Sequence, residues 1–363
     1  LASFNTNIVL DGAYSSEGGT LLRAALVVSS LTEQGFTIKN VRGGQRKPGV
    51  KVEDLTLLRA LALSCNAELR GDEVGSLEVA YLPRRSPQSL NETFSIYEYS
   101  KGSVSGNAIA VLHALMLVLA RARSYSNVIV RGETYSVKSL HYDLFENVLL
   151  PLHRQQGIYA YSNQSIAGFG LRSKGEVWLE VEPSALNGFQ WTQRGQFLGA
   201  RMVVSAAEVD ISYLTRAKKH AEALFNKYGL RASFDIHEVR AREAGVCATL
   251  YAQFEKGLGG GSSFSARQNE IERVVEEALD SFLKWHESDA TVDAHIAPLL
   301  ILPAVFAADY TTVFTTPCIT PKLQTVVWVV KQFLPARIVV TGALGEPGKI
   351  SIGHQMPENT LSL

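Results

Sequence analysis

Apolar positions along this chain keep two rhythms, one of three to four residues and one of two. In "PGVKVEDLTLLRALALSCNAELRGDEVGSLEVAYLP" (48–83), Leu55, Leu58, Leu61 and Ala62 recur at helical spacing. The segment "GSLEVAYL" then alternates, as a strand with one buried face does. The same plan returns twice: a polar loop, an apolar helix, an extended segment and a turn into a strand. It is found in 136–183, where "GEVWLEVEP" takes the place of "GSLEVAYLP", and in 320–353, which closes on "GKISI". Each of these helices follows another strand–helix pair. In the first unit this is "NIVLDG" (7–12) and "EGGTLLRAALVVSSL" (17–31), followed by the strand "FTIKNV" (36–41). The unit β-α-β-α-β-β, occurring three times, predicts an α/β (α+β) fold with internal pseudo-symmetry. Its helices should bury their apolar stripes inward between small sheets.

The third copy is interrupted. A strand over 196–205 leads to the helix "ISYLTRAKKHAEALFNKYG" (211–229) and to strands over 230–239 and 246–254. That block has apolar faces of its own and predicts a small α/β domain inserted over 185–280. The large domain then comprises 1–184 and 281–363. The glycine run "GLGGGSS" (257–263) is read either as a linker ending the insert or as a glycine-rich start to the helix over 267–285.

Composition narrows the classes. The 363 residues are 46% hydrophobic and 19% charged, enough to bury a sizeable core. Thirty-five basic residues balance 35 acidic ones, so nothing pulls the whole surface toward nucleic acid or membrane, and any anion must be held by a local patch. Cys65, Cys247 and Cys318 form no CxxC pair, which argues against a disulfide framework or zinc site and for a reducing, intracellular setting. No signal peptide is visible. The apolar stretches 107–120 and 296–308 fall short of the ~20 residues of a membrane helix and are expected to be core helices of a soluble protein.

Four stretches can carry chemistry. In "DGAYSSEGGTLLRAAL" (11–26) a strand runs through a Ser/Gly turn into a helix, whose free N–H groups beside Gly18 and Gly19 can hold a phosphate, with Arg23 one turn in. The bland alternative is a glycine turn with a solvated arginine. The loop "VRGGQRKPGVK" (41–51) gathers Arg42, Arg46, Lys47 and Lys51, an anion cradle or a solvated basic loop. The stretch "GLGGGSSFSARQNE" (257–270) offers Ser262, Ser263 and Arg267 at a second glycine-rich helix start. The fourth is "TTPCITPKLQTVVWVVKQFLP" (315–335), which puts Lys322 at a helix head, together with Asp293 and His295 ahead of another helix. Lysines at helix starts are ordinarily solvated, and His113, inside an apolar helix, reads as a hydrogen-bonded core histidine.

Taken in order, these motifs resemble the RNA 3′-terminal phosphate cyclase family. That family's "DGS–x–GEGGGQ–x–LR" is matched by "DGAYSSEGGTLLR", "IRAGR–x–PGL" by "VRGGQRKPGV", "RALAxLCxAxxxGAxxGS" by "RALALSCNAELRGDEVGS", "GSSxGxRGxxAExVGxEAA" by "GSSFSARQNEIERVVEEAL", and "TVDEHLADQL" by "TVDAHIAPLL". The resemblance implies three β-α-β-α-β-β units, as in enolpyruvyl transferases, with an insert in the third. It also implies ATP and Mg2+ as cofactors, an RNA 3′ end as partner, and a covalent adenylate en route to a 2′,3′-cyclic phosphate. Carried over by position, Glu17, Gly18, Gly19, Arg23, Arg42, Arg46, Ser262 and Ser263 become nucleotide or phosphate ligands, with Glu17 also the metal ligand. The family's histidine lies three residues before a threonine of the last long helix; counted back from Thr325, that position holds Lys322.

Other positions depart as well. Ser16 stands at the family's acidic position with Glu17 one residue late. Thr20 replaces a glutamine, Asn107 replaces a serine, Pro298 and Leu299 replace "DQ", and Ser173 and Lys174 interrupt a glycine-rich strand start. Two readings stay open. One is a divergent nucleotidyl-transferring enzyme with Lys322 as nucleophile; a lysine amine must lose its proton to attack phosphorus. The other is a non-catalytic RNA-binding or scaffold homologue in RNA processing or ribosome assembly.

Overall fold

Three successive stretches of the chain fold into four-stranded sheets of one common topology. The structure is a computed structural model and describes residues 8–99, 106–137, 139–170, 173–307 and 311–353. The first stretch contains β1 (Ile8–Asp11), α1 (Gly18–Thr32), β2 (Phe36–Lys39), α2 (Val52–Cys65), β3 (Glu68–Arg70) and β4 (Val79–Leu82). The sheet order is β1-β2-β4-β3, with β1 parallel to β2 and the other pairs antiparallel. The second contains β5 (Asn91–Ser95), α3 (Ala108–Leu119) and β6 (Ser126–Gly132). A helical run follows, made of α4 (Tyr142–Leu144), a π turn (Phe145–Leu149) and α5 (Leu150–Gln155), then β7 (Ala160–Ile166) and β8 (Gly175–Val181). Its order, β5-β6-β8-β7, repeats the first.

The third sheet opens with the short β9 (Gln190–Trp191). The chain then leaves to form β10 (Phe197–Ala207), α6 (Ile211–Lys227), β11 (Ala232–Glu238), β12 (Gly245–Phe254), β13 (Gly257–Ser265) and α7 (Ile271–His286). It returns through α8 (Ile301–Val305) to β14 (Thr312–Thr316), α9 (Pro321–Phe333), β15 (Arg337–Thr341) and β16 (Gly348–Gly353). The order β9-β14-β16-β15 is again that of the first sheet. The stretch expected as the insert, 185–280, therefore includes β9, which pairs in the third sheet, and stops short of the end of α7.

Parallel strands need a crossover: in the first two repeats a helix joins the parallel pair, in the third the insert and α8 do, and the last two strands of each repeat pair antiparallel after a further helix. The sheets keep one face wet: β6 and β8 alternate buried with more exposed positions. The helices face inward. α3, "AIAVLHALMLVL", is buried at every position but Ala110, and α1 packs against α2, α3 and α9. A helix apolar on all sides needs neighbours on all sides, and this one finds them. Asn107 caps α3 by accepting from the Ala110 N–H at 2.7 Å, and Thr320 caps α9 by accepting from Leu323, with Pro321 in the first turn.

The glycine run 257–263 is neither a linker nor a helix start. It is most of β13, paired in antiparallel register with β12 from Val246↔Ser265 to Phe254↔Gly257. Its glycines let α7 settle directly on the strand backbone: a Cβ at Gly261 would lie 2.3 Å from the Phe282 nitrogen, and one at Gly259 would lie 2.6 Å from the Trp285 ring. The insert's sheet, β11-β10-β12-β13, buries its own core against α6 and α7.

Candidate functional site

A cavity of about 1120 Å³ opens among α1, α3, the start of α9 and the loop before α2. Its apolar part is formed by residues such as Ile109, Leu117, Leu302 and Val326, and its polar part by Glu17, Arg23, Arg42, Lys47, Lys51, Glu53 and Lys322. That mixture of apolar wall and few converging charges is what a site for a small anionic ligand requires.

The turn ahead of α1 is fixed from both sides. Asp11 accepts from the Ala13 N–H at 3.0 Å and from the Asn40 side-chain amide at 3.1 Å. Ser15 Oγ accepts from the Glu17 N–H and lies 2.8 Å from Thr325 Oγ1. Since Thr325 spends its own proton on the Pro321 carbonyl, Ser15 is the donor of that pair. The start of α1 is thus tied to the first turns of α9, the helix that carries Lys322.

Arg42 has a left-handed backbone (φ 54°) and turns its side chain inward across the start of α1. Its Nε and Nη2 donate to Asp54 Oδ2 at 2.9 and 2.6 Å, and its Nη1 donates to Gln45. The backbone N–H of Lys51 donates to the same carboxylate oxygen, and Arg23 lies 3.7 Å from Asp54 Oδ1. The space a side chain would take at Gly18 and Gly19 is occupied by Arg42, a Cβ at Gly19 lying 2.5 Å from Arg42 Nη2, while Gly19 itself borders the cavity. Arg42 is a buried strut, and Arg23, with a quarter of its side chain exposed, is the more available guanidinium.

Lys322 is the second residue of α9 and belongs to the cavity wall, not to the outer surface where helix-start lysines are usually found. Burial, helped by the charge of Arg23 and opposed by Glu17, pulls its amine from the usual lysine range down to about 8. Two carboxyls that line the same cavity move the opposite way. Burial and the neighbouring Asp54 raise Glu53, and burial pushes Glu133 up to about 7; Glu133 Oε1 is buried without a hydrogen-bond partner.

His113 is hydrogen-bonded, as a core histidine should be, yet it also lines the cavity. Its partner is the wholly buried His153 of α5. Arg46 is exposed and does not line the cavity. Ser262 and Ser263 sit on β13 away from it: Ser262 is bonded to His141 Nδ1 at 2.9 Å, and Ser263 donates to Glu277. Arg267 pairs with Glu270 on the surface of the insert. Asp293 is buried and accepts from the His295 and Ile296 N–H groups, capping the turn before 297–300, while His295 is exposed. Pro298 and Leu299 do line the cavity and add apolar surface.

Asp54, Glu53, Glu133 and His153 were not singled out from the sequence. Glu53 and Asp54 carry a readable signal, two acids in the first turn of a helix directly after a basic loop.

Fold and site together define a three-repeat α/β protein with an inserted domain and a cavity suited to an anion. Residues 14–340 match the family model for RNA 3′-terminal phosphate cyclase, and the chain belongs to that family. It is 31% identical over 337 residues to an RNA 3′-terminal phosphate cyclase of Methylococcus capsulatus, covering 92% of this chain and 93% of that one. A protein of the same name from a Nostoc species is 31% identical over 93% of this chain and 97% of its own. The one from Salmonella enteritidis is 30% identical over 91% and 94%. Among solved structures, the enolpyruvyl transferase NikO of Streptomyces tendae aligns over 48% of this chain and 33% of its own, with TM-score 0.27 and 13% identity, a likeness too slight to carry weight. No described helix is long and apolar enough to cross a membrane.

Proposed function

We propose that this protein transfers a nucleotidyl group from ATP to Lys322 and then to an RNA 3′-phosphate, whose neighbouring 2′-hydroxyl closes a 2′,3′-cyclic phosphate. The observation that carries this reading is Lys322 itself: an amine in the cavity wall, held near 8 by burial and Arg23, has a reactive neutral fraction at neutral pH. Arg23, Lys47 and Lys51 line the same cavity and are the cations available to meet phosphate oxygens. The cavity is large enough for a nucleotide.

Mg2+ in nucleotide sites commonly takes one or two carboxylates and the substrate's own phosphates, and Glu17, on the cavity lining, would be the protein's share. When bound it would neutralise charge on the leaving phosphates. Glu17 also opposes the Arg23 field at Lys322 and so limits how far the amine is depressed. The use of ATP fits an intracellular protein.

The non-catalytic reading, an RNA-binding or scaffold homologue, is favoured by one feature. Pro298 and Leu299 put apolar surface on the wall where the family has an acid and an amide. The two readings part on a single assay. An RNA oligonucleotide ending in 3′-phosphate is incubated with protein and Mg-ATP, and its end is tested for resistance to phosphatase. Resistance that requires Lys322 supports the enzyme; RNA that is bound but unchanged supports the scaffold.

A further inference from the structure

His113, His153 and Gln156 form a chain whose donors and acceptors can be assigned one by one. Gln156 donates its amide N–H to the Leu300 carbonyl at 2.8 Å, so its own carbonyl oxygen is the atom facing His153 Nδ1 at 2.9 Å. His153 Nδ1 must then carry the proton, and its Nε2 is a bare acceptor. His113 Nε2, 3.1 Å from that nitrogen, must be the donor. His113 Nδ1 is left as an unprotonated nitrogen, and among the described residues none is bonded to it. His153 is sealed in the core, whereas His113 belongs to the cavity wall with Lys322 and Arg23.

We propose that His113 Nδ1 is the base that takes a proton from the Lys322 amine as that amine attacks the α-phosphate of ATP. This rests on the nucleotidyl-transfer reading and deepens it. The lone pair of Lys322 Nζ forms the N–P bond, and the Pα–O bond to pyrophosphate breaks, its electron pair leaving on pyrophosphate. One Nζ proton passes to His113 Nδ1. The buried chain behind His113 fixes its tautomer and orientation, as a positioning partner does for a catalytic imidazole.

Burial, with the neighbouring His153, Lys322 and Arg23, holds His113 well below the ordinary histidine range. Its lone pair is therefore free at neutral pH. A weak base serves here, because the amine's proton becomes strongly acidic once the N–P bond is forming.

The test follows AMP attachment to the full chain by intact mass under Mg-ATP, for wild type, Lys322→Ala, His113→Ala and His113→Gln. Both His113 variants should label on the order of 100-fold more slowly. Added imidazole should restore part of the rate in His113→Ala, where the ring can enter the vacated space, and not in His113→Gln, which can still hydrogen-bond His153. Wild-type labelling in either His113 variant overturns the proposal and leaves the nucleotidyl-transfer reading standing. So does a slow His113→Ala that imidazole does not speed, since that is how a purely structural loss behaves. A wild type that never labels overturns the nucleotidyl-transfer reading, and this proposal with it.

Discussion

The Nη2 of Arg42 lies 2.6 Å from Oδ2 of Asp54, and the guanidinium so held lies across the first residues of α1. Both side chains are almost fully buried, 4% and 0% exposed. Removing Asp54 leaves the buried Arg42 only the looser carboxylate of Glu53, 3.8 Å away, so Asp54→Ala should cost about 3 kcal/mol of folding stability. Gly19→Ala should cost about 1–3 kcal/mol, because its methyl would press on a guanidinium that cannot swing away. Urea unfolding of the two variants checks both; losses below about 0.5 kcal/mol, typical of surface changes, would mean that Arg42 is not locked.

Lys322 should lower stability in order to be reactive. In the unfolded chain its amine titrates near 10.4 and in the folded protein at about 8, so between those values the unfolded chain holds the proton and stability rises with pH. At pH 7 the folded state carries the ammonium at a cost. Lys322→Met should therefore raise stability by on the order of 1–3 kcal/mol. Thermal unfolding at pH 7 decides: a destabilised Lys322→Met would show that the lysine is an ordinary structural contact.

Arg23 is the guanidinium left free enough to meet a ligand. Arg23→Ala should weaken ATP binding by roughly 10- to 100-fold, the loss of about 1.5–3 kcal/mol expected for a hydrogen bond to a charged group. Arg46→Ala, on an exposed residue outside the cavity, should leave ATP affinity unchanged. Calorimetric titration with ATP in the presence of Mg2+ reads both. Equal effects would mean that the loop 41–51 acts through its general charge.

Much of this was legible in the chain, and the parts that were not share a cause. The three repeats show because each carries its own change of rhythm, and the topology follows from strand–helix order. The glycines of β13 misled because a strand interior rarely holds so many; what they accommodate is α7, a partner that no local pattern names. Arg23 and Arg42 stand out as cations beside glycines, but that Asp54 holds Arg42 at 2.6 Å and Arg23 only at 3.7 Å is decided by the fold. Lys322 lines a cavity shared with α1 and α3, which are hundreds of residues away in the chain. His113 and His153 are forty residues apart on different helices, and nothing in the sequence pairs them.

The buried histidines should make the protein sensitive to mild acid. Burial pushes His153 down to about 4, against about 6.5 in the unfolded chain, so its contribution is present above 6.5 and is lost as pH falls toward 4. Asp143 and Glu133, both raised to about 7, act in the opposite sense over the same range, so the wild-type profile alone mixes the two. The histidine share is the difference between wild type and His153→Gln. That gap in unfolding free energy should shrink by about 2 kcal/mol between pH 7 and pH 5. A gap that does not change with pH would show that His153 is not held neutral.

The most direct test of the central claim is the intact mass of the purified protein after incubation with Mg-ATP, with Lys322→Ala beside it. A nucleotidyl transferase that uses Lys322 gains the mass of one AMP, loses that gain in the variant, and gains it faster as pH rises through about 8. An unmodified wild type, under conditions where a cyclase of this family does label, would contradict the claim and leave the cavity as a binding site without covalent chemistry.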